Sequence, residues 1–236
     1  MLLASAADRF TPLCLAAILC WILCVCVHEF SHALVAYWGG DSSVREKGYL
    51  TLDPTRFIDP IFSLLIPAII LAIGGIPLPG GSVRIDVAAL RSTRWRQYVS
   101  AAGPASNFLL FLCFGMILHP MFGLVNPDDM EQPTWVYFLG AMAVLNFFAT
   151  VFNMLPVPPF DGYHIIEHRF SPEMQWKMNQ PQTSFLMIAC VFMLFSLDQV
   201  QMIFAYMLVE VCDSVGIPIH LLSSGYQLVL FNTAPP

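Results

Sequence analysis

From Pro12 to Trp38 the chain is apolar at almost every position, and only His28, Glu29 and His32 interrupt that stretch with ionisable imidazole or carboxylate groups. The pattern predicts a membrane-crossing helix over 12–38, ended by Gly39-Gly40 and Asp41. A signal peptide is rejected, because no small-x-small cleavage site precedes the histidines and the apolar pattern continues through "ALVAYW". A polar loop runs to Ile58. The next apolar run, "IFSLLIPAIILAIGG", is short for a span and carries Pro67. "IPLPGGSVRID" then mixes Pro, Gly and β-branched residues and suits an extended loop lodged against protein. Together these predict a re-entrant segment over 59–90.

Two further spanning helices are expected over 97–118 and 135–155. The second is stopped by "PVPPF". A C-terminal apolar segment, 184–211, is interrupted by Asp198, Gln199 and Gln201, and reads as one span plus an interfacial piece. The fold class that follows is an all-α polytopic membrane protein, organised as one domain over 1–236, with no room for an added soluble domain.

Composition sharpens this reading. Hydrophobic residues make up 57% and charged residues 11% of the 236, and mean hydropathy is +0.69. Soluble domains hold roughly 45–50% and about 25% respectively. The lipid bilayer is therefore the expected surrounding. The net charge of −6 comes from few ionisable groups, and no basic run points to nucleic acid. The seven cysteines lie in or near apolar segments without CxxC spacing, and read as small hydrophobes.

Charge also orients the chain. With an outside N-terminus and a re-entrant second segment, nine of the ten Lys and Arg residues fall on one side, leaving only Arg9 opposite. The acidic connection carrying Asp128, Asp129 and Glu131 falls outside. The basic side is expected to be cytoplasmic.

The chemistry begins at "HEFSH". His28 and His32 are four residues apart, about 40° around a helix, so both imidazoles can meet one cation while Glu29 stands beside it. Paired ionisable groups inside a membrane segment usually mark function. A catalytic zinc site wants a third protein ligand and an open position. Asp161 offers one, because it follows a proline-broken helix end on the same side as the histidines. The other reading of Asp161 is an Asp-Gly turn at the membrane surface. His164 and His168 read as solvent-exposed loop residues, His119 and His220 as interfacial, and Asp198 as a helix end.

"HEFSH", "AAGPASN" (Ala101 to Asn107) and "NMLPVPPFDG" (Asn153 to Gly162), in this order, resemble the site-2 protease family of intramembrane zinc metalloproteases. Asp59-Pro60 and "GGIPLPGG" look like features of its compact bacterial-type members. The resemblance implies a site-2-protease-like transmembrane helical core with a re-entrant extended loop. It also implies one Zn2+ held by His28, His32 and Asp161, Glu29 as catalytic base, and Asn153 near the active site. The implied substrate is a transmembrane protein, cut in or near its membrane segment. A compact member without a PDZ-like or CBS-like domain is expected, in a bacterial-type cell membrane with its active site toward the cytoplasm. Asn153 would donate a hydrogen bond to substrate backbone or oxyanion; the other reading is a cap on the broken helix.

Two alternatives belong to other classes. A zinc-containing membrane scaffold would bind transmembrane helices without cutting them, but has no need of Glu29. A solute transporter would show inverted repeats with paired broken helices, and none is visible.

Overall fold

Thr11 opens the first helix by accepting the Cys14 N–H at 3.1 Å, and Pro12 fills its first turn. This helix, α1 (Pro12–Gly39), ends at Gly40, whose φ of 117° only glycine adopts without strain. The computed structural model describes residues 11–59, 63, 80–129 and 131–231. After α1 come α2 (Ser43–Glu46), α3 (Thr93–Ile117), α4 (Thr134–Asn153), α5 (Asp161–Ile166), α6 (Pro172–Met178), α7 (Pro181–Phe195), α8 (Asp198–Val215) and α9 (Ile219–Phe231). No strand occurs among the described residues. Most of the half-helix expected over the second apolar run, and the first four residues of the loop after it, lie outside those residues.

Among the described residues α1, α3 and α4 are each long and apolar enough to cross a membrane. α7 and α8 qualify only as a pair, bent by 82°. Leu15, Leu19 and Leu23, one per turn of α1, are all exposed and form a face suited to lipid. This is an integral membrane protein.

α1, α3 and α4 pack against one another, and the ends of α1 and α4 lie with the start of α3. One apolar cluster joins Phe111 of α3 and Leu118 just after it, Val144 and Phe147 of α4, Leu208 of α8 and Leu222 of α9. A second joins Ala17 and Cys24 of α1, Met142 and Leu145 of α4, and Val229 of α9. At the site end, Ala33 and Ala36 of α1 meet Val44 and Val99, with Val83 and Ile85 packed against them.

Several boundaries differ from the pattern reading. α3 starts at Thr93 rather than at 97, because its first turn is polar and carries Arg94 and Arg96, which hydropathy does not register. α4 stops at Asn153, two residues before 155. The C-terminal segment 184–211, expected to be interrupted at Asp198 to Gln201, is two helices divided at Ser196-Leu197, with Asp198 opening the second, and they extend to Pro181 and Val215. α9 falls beyond that segment and was not anticipated. It is 13 residues long and its apolar pattern is interrupted by Ser223, Ser224 and Gly225, yet Leu221, Leu222, Val229 and Leu230 are buried. Its contact with α4 is close: a Cβ on Gly140 would lie 2.6 Å from the Leu221 carbonyl oxygen.

Candidate metal centre

The two histidines of α1 point the same way, as their four-residue spacing requires. His28 Nε2 and His32 Nε2 are 3.0 Å apart, and both residues are under 10% exposed. The helix end is seven residues beyond His32, so the imidazoles sit about 10 Å or more from the end of α1.

Asp161 reaches them from far along the chain. Beyond α4, Pro156, Pro158 and Pro159 prevent continued helix, and the Pro158–Pro159 peptide is cis. The chain folds back so tightly that a Cβ on Gly162 would overlap the Met154 carbonyl. α5 then starts at Asp161, whose Oδ2 lies 3.2 Å from His28 Nε2 and 3.3 Å from His32 Nε2. Asp161 and Gly162 thus form the first turn of a helix rather than an isolated Asp-Gly turn.

These three atoms form a nearly equilateral triangle. Zinc bonds of about 2.0–2.2 Å in tetrahedral geometry place neighbouring ligand atoms about 3.3–3.6 Å apart, close to the 3.0–3.3 Å found here. His28, His32 and Asp161 form the one group of three or more His, Cys, Asp or Glu among the described residues able to hold a metal. A Cβ on Gly103 of α3 would lie 2.5 Å from His28 Nε2 and closer still to His32 Nε2. Glycine there leaves room for an ion. The donor set and the space both fit zinc.

The far sides of the rings are also engaged. His32 Nδ1 is 2.6 Å from the Val99 carbonyl oxygen, an acceptor only. That nitrogen therefore donates, and the lone pair of His32 Nε2 faces the triangle. His28 Nδ1 is 3.1 Å from Nδ2 of the Asn107 side chain. Neither Val99 nor Asn107 stood out in the sequence as a functional residue.

Glu29 lines the same cavity of about 400 Å³. Its carboxylate faces the Val83 backbone N–H, and Gly81 packs against its stem, where a Cβ would lie 3.0 Å from Glu29 Cγ. Gly80 to Val83 and Ile85 form one wall without regular structure, tied down by Ser82 N–H to the Phe57 carbonyl (3.0 Å) and Asp86 N–H to Asp41 (2.8 Å). Ser63 donates to the Gly80 carbonyl at 2.6 Å. In the loop before it, the Thr55 hydroxyl and backbone N–H hold the exposed Asp53 carboxyl below the usual carboxylate range.

Asn153 lines the cavity, with its Nδ2 donating to the Ala149 carbonyl one turn back at 3.0 Å. His164 also lines it, contrary to the expectation of a solvated loop residue, with its Nδ1 3.2 Å from Glu167. His168 stays at the surface near Gln97.

Comparison with known proteins bears on what this centre is. The model of the family described as "Peptidase family M50" matches residues 16–197. The chain is 33% identical over 239 residues to "Putative zinc metalloprotease Rip2" of Mycolicibacterium smegmatis, covering 97% of this chain and 87% of that protein. It is 37% identical over 155 residues to the Rip2 protein of Mycobacterium tuberculosis, covering 66% of this chain and 57% of that protein. "Putative zinc metalloprotease YwhC" of Bacillus subtilis is 32% identical over 164 residues, which is 66% of this chain and 70% of that protein. No solved structure matches the chain. With a family match across most of its length, and two histidines and an aspartate converging on one possible metal site, the chain belongs to peptidase family M50, the site-2 protease family of zinc metalloproteases.

Proposed function

We propose that this protein hydrolyses peptide bonds in or near transmembrane segments of membrane-protein substrates, with His28, His32 and Asp161 holding one zinc ion and Glu29 acting as general base. The observation that carries this reading is the 3.0–3.3 Å triangle of His28, His32 and Asp161, with Glu29 in the same cavity, inside helices that cross the membrane.

When bound, zinc supplies a Lewis acid that polarises the scissile carbonyl and acidifies water. Glu29 takes the proton from the attacking water and delivers it to the leaving amine. Its burial against Gly81 and Val83 limits the positions its carboxylate can occupy. Asn153 uses one amide hydrogen on Ala149, so the second remains to meet substrate backbone or a developing oxyanion. A helical substrate hides its amides in internal hydrogen bonds and must unwind before attack. The irregular wall from Gly80 to Asp86 offers backbone along which an unwound segment can add as a strand.

Elemental analysis of the detergent-purified chain tests the site. Wild type should hold about one zinc, His28→Ala and Asp161→Ala should lose most of it, and Glu29→Gln should keep it while losing cleavage of membrane substrates. Zinc retained in full by Asp161→Ala would break the link between the two motifs. Zinc present without proteolysis by the wild type would favour a non-proteolytic scaffold that binds transmembrane helices.

A further inference from the structure

The amide of Asn107 has two ways to meet His28, and only one suits a metal. Nδ1 of His28 lies 3.1 Å from the amide atom assigned as Asn107 Nδ2, 79 residues away in sequence, and Asn107 is 4% exposed. If the amide N–H donates to Nδ1, the imidazole proton sits on Nε2, the atom that faces His32 and Asp161. A protonated Nε2 has no lone pair to offer a cation. If the amide is turned by 180° and Oδ1 accepts, the proton sits on Nδ1 and the Nε2 lone pair points into the triangle. The two amide orientations differ only by exchange of N and O, so geometry alone does not choose between them.

His32 has no such freedom, because its Nδ1 faces a backbone carbonyl. The two ligands are therefore held differently: one by a fixed acceptor, the other by a side chain able to act as either donor or acceptor. We infer that Asn107 is a positioning residue for metal binding, which must present Oδ1 to His28 Nδ1 so that His28 Nε2 can ligate. This rests on the zinc reading above and adds to it a residue outside the three ligands and the base. Burial makes the choice consequential, since water is not at hand to take over an unmet hydrogen bond.

Zinc affinity of the full-length detergent-purified chain, measured by competition with a chromogenic chelator, tests this, with the d–d absorption of the Co2+ form as a second readout. Asn107→Leu keeps the volume and removes the acceptor, and should weaken zinc binding about 10- to 100-fold and change the Co2+ spectrum. Asn107→Asp can only accept when ionised, and should bind zinc at least as tightly as wild type. Asn107→Leu within threefold of wild type would overturn the inference. So would a tenfold loss in Asn107→Asp, which also decides the matter should the leucine variant not fold. A wild type without zinc would overturn the inference together with the metalloprotease reading. A zinc-loaded wild type beside an impaired Asn107→Asp would overturn the inference alone.

Discussion

Gly103 shows how much one missing methyl group can carry. Its α3 backbone approaches both ligand imidazoles so closely that a Cβ would occupy the room between them. Gly103→Ala is expected to fold, since alanine suits a helix better than glycine, yet to lose most of its zinc, a combination that elemental analysis and circular dichroism of the same sample would check. His28 and His32 were legible in the sequence because a helix brings residues four apart onto one face whatever surrounds it. Val99 was not, because what it contributes is a backbone carbonyl, which any residue has. Asn107 was visible as part of "AAGPASN", but its partner lies 79 residues away and nothing local indicates it.

Helices α3 and α5 are joined by a buried ion pair that steadies the side of the site carrying Asp161. Glu167, just after α5, is fully buried, and pairs with Arg96 of α3 and with His164. Gln97 adds a hydrogen bond to the Ile165 carbonyl at 3.1 Å. A buried carboxylate deprived of its cation is costly. Arg96→Leu is therefore expected to destabilise the protein by about 3–5 kcal/mol, and the double variant Arg96→Leu/Glu167→Leu by clearly less, because it leaves no unpaired charge. Unfolding in detergent compares the two. This pair was hidden in the sequence because Glu167 sits in "IIEHRF", which reads as a polar surface turn; its burial follows from how α5 folds back under α3. The helices themselves were largely visible as apolar runs. Their ends were not, since polar first turns such as Thr93 to Arg96 belong to the helix but not to the hydrophobic pattern. α9 escaped because it is short for a span and its apolar pattern is interrupted by small residues, and only the Gly140 and Gly225 crossing with α4 shows why small residues stand there.

Across the whole molecule, the ends of α1 and α4 and the beginning of α3 build the cavity together. The charge distribution predicts that this end faces the cytoplasm, so reporter tags placed at the N-terminus and between Arg84 and Arg96 should report opposite compartments. Tags reporting the same compartment would overturn the assignment. The membrane class, the main spanning helices and the paired histidines follow from the amino-acid sequence alone, because they depend on local hydropathy and helical periodicity. The convergence of Asp161 with His28 and His32, the room left by Gly103, the partners behind each imidazole and the burial of Glu167 depend on contacts between residues some 65 to 135 positions apart. Such contacts are set by how helices pack and where a proline break turns the chain. No local pattern encodes them, because each arises from the meeting of two surfaces that are far apart in sequence.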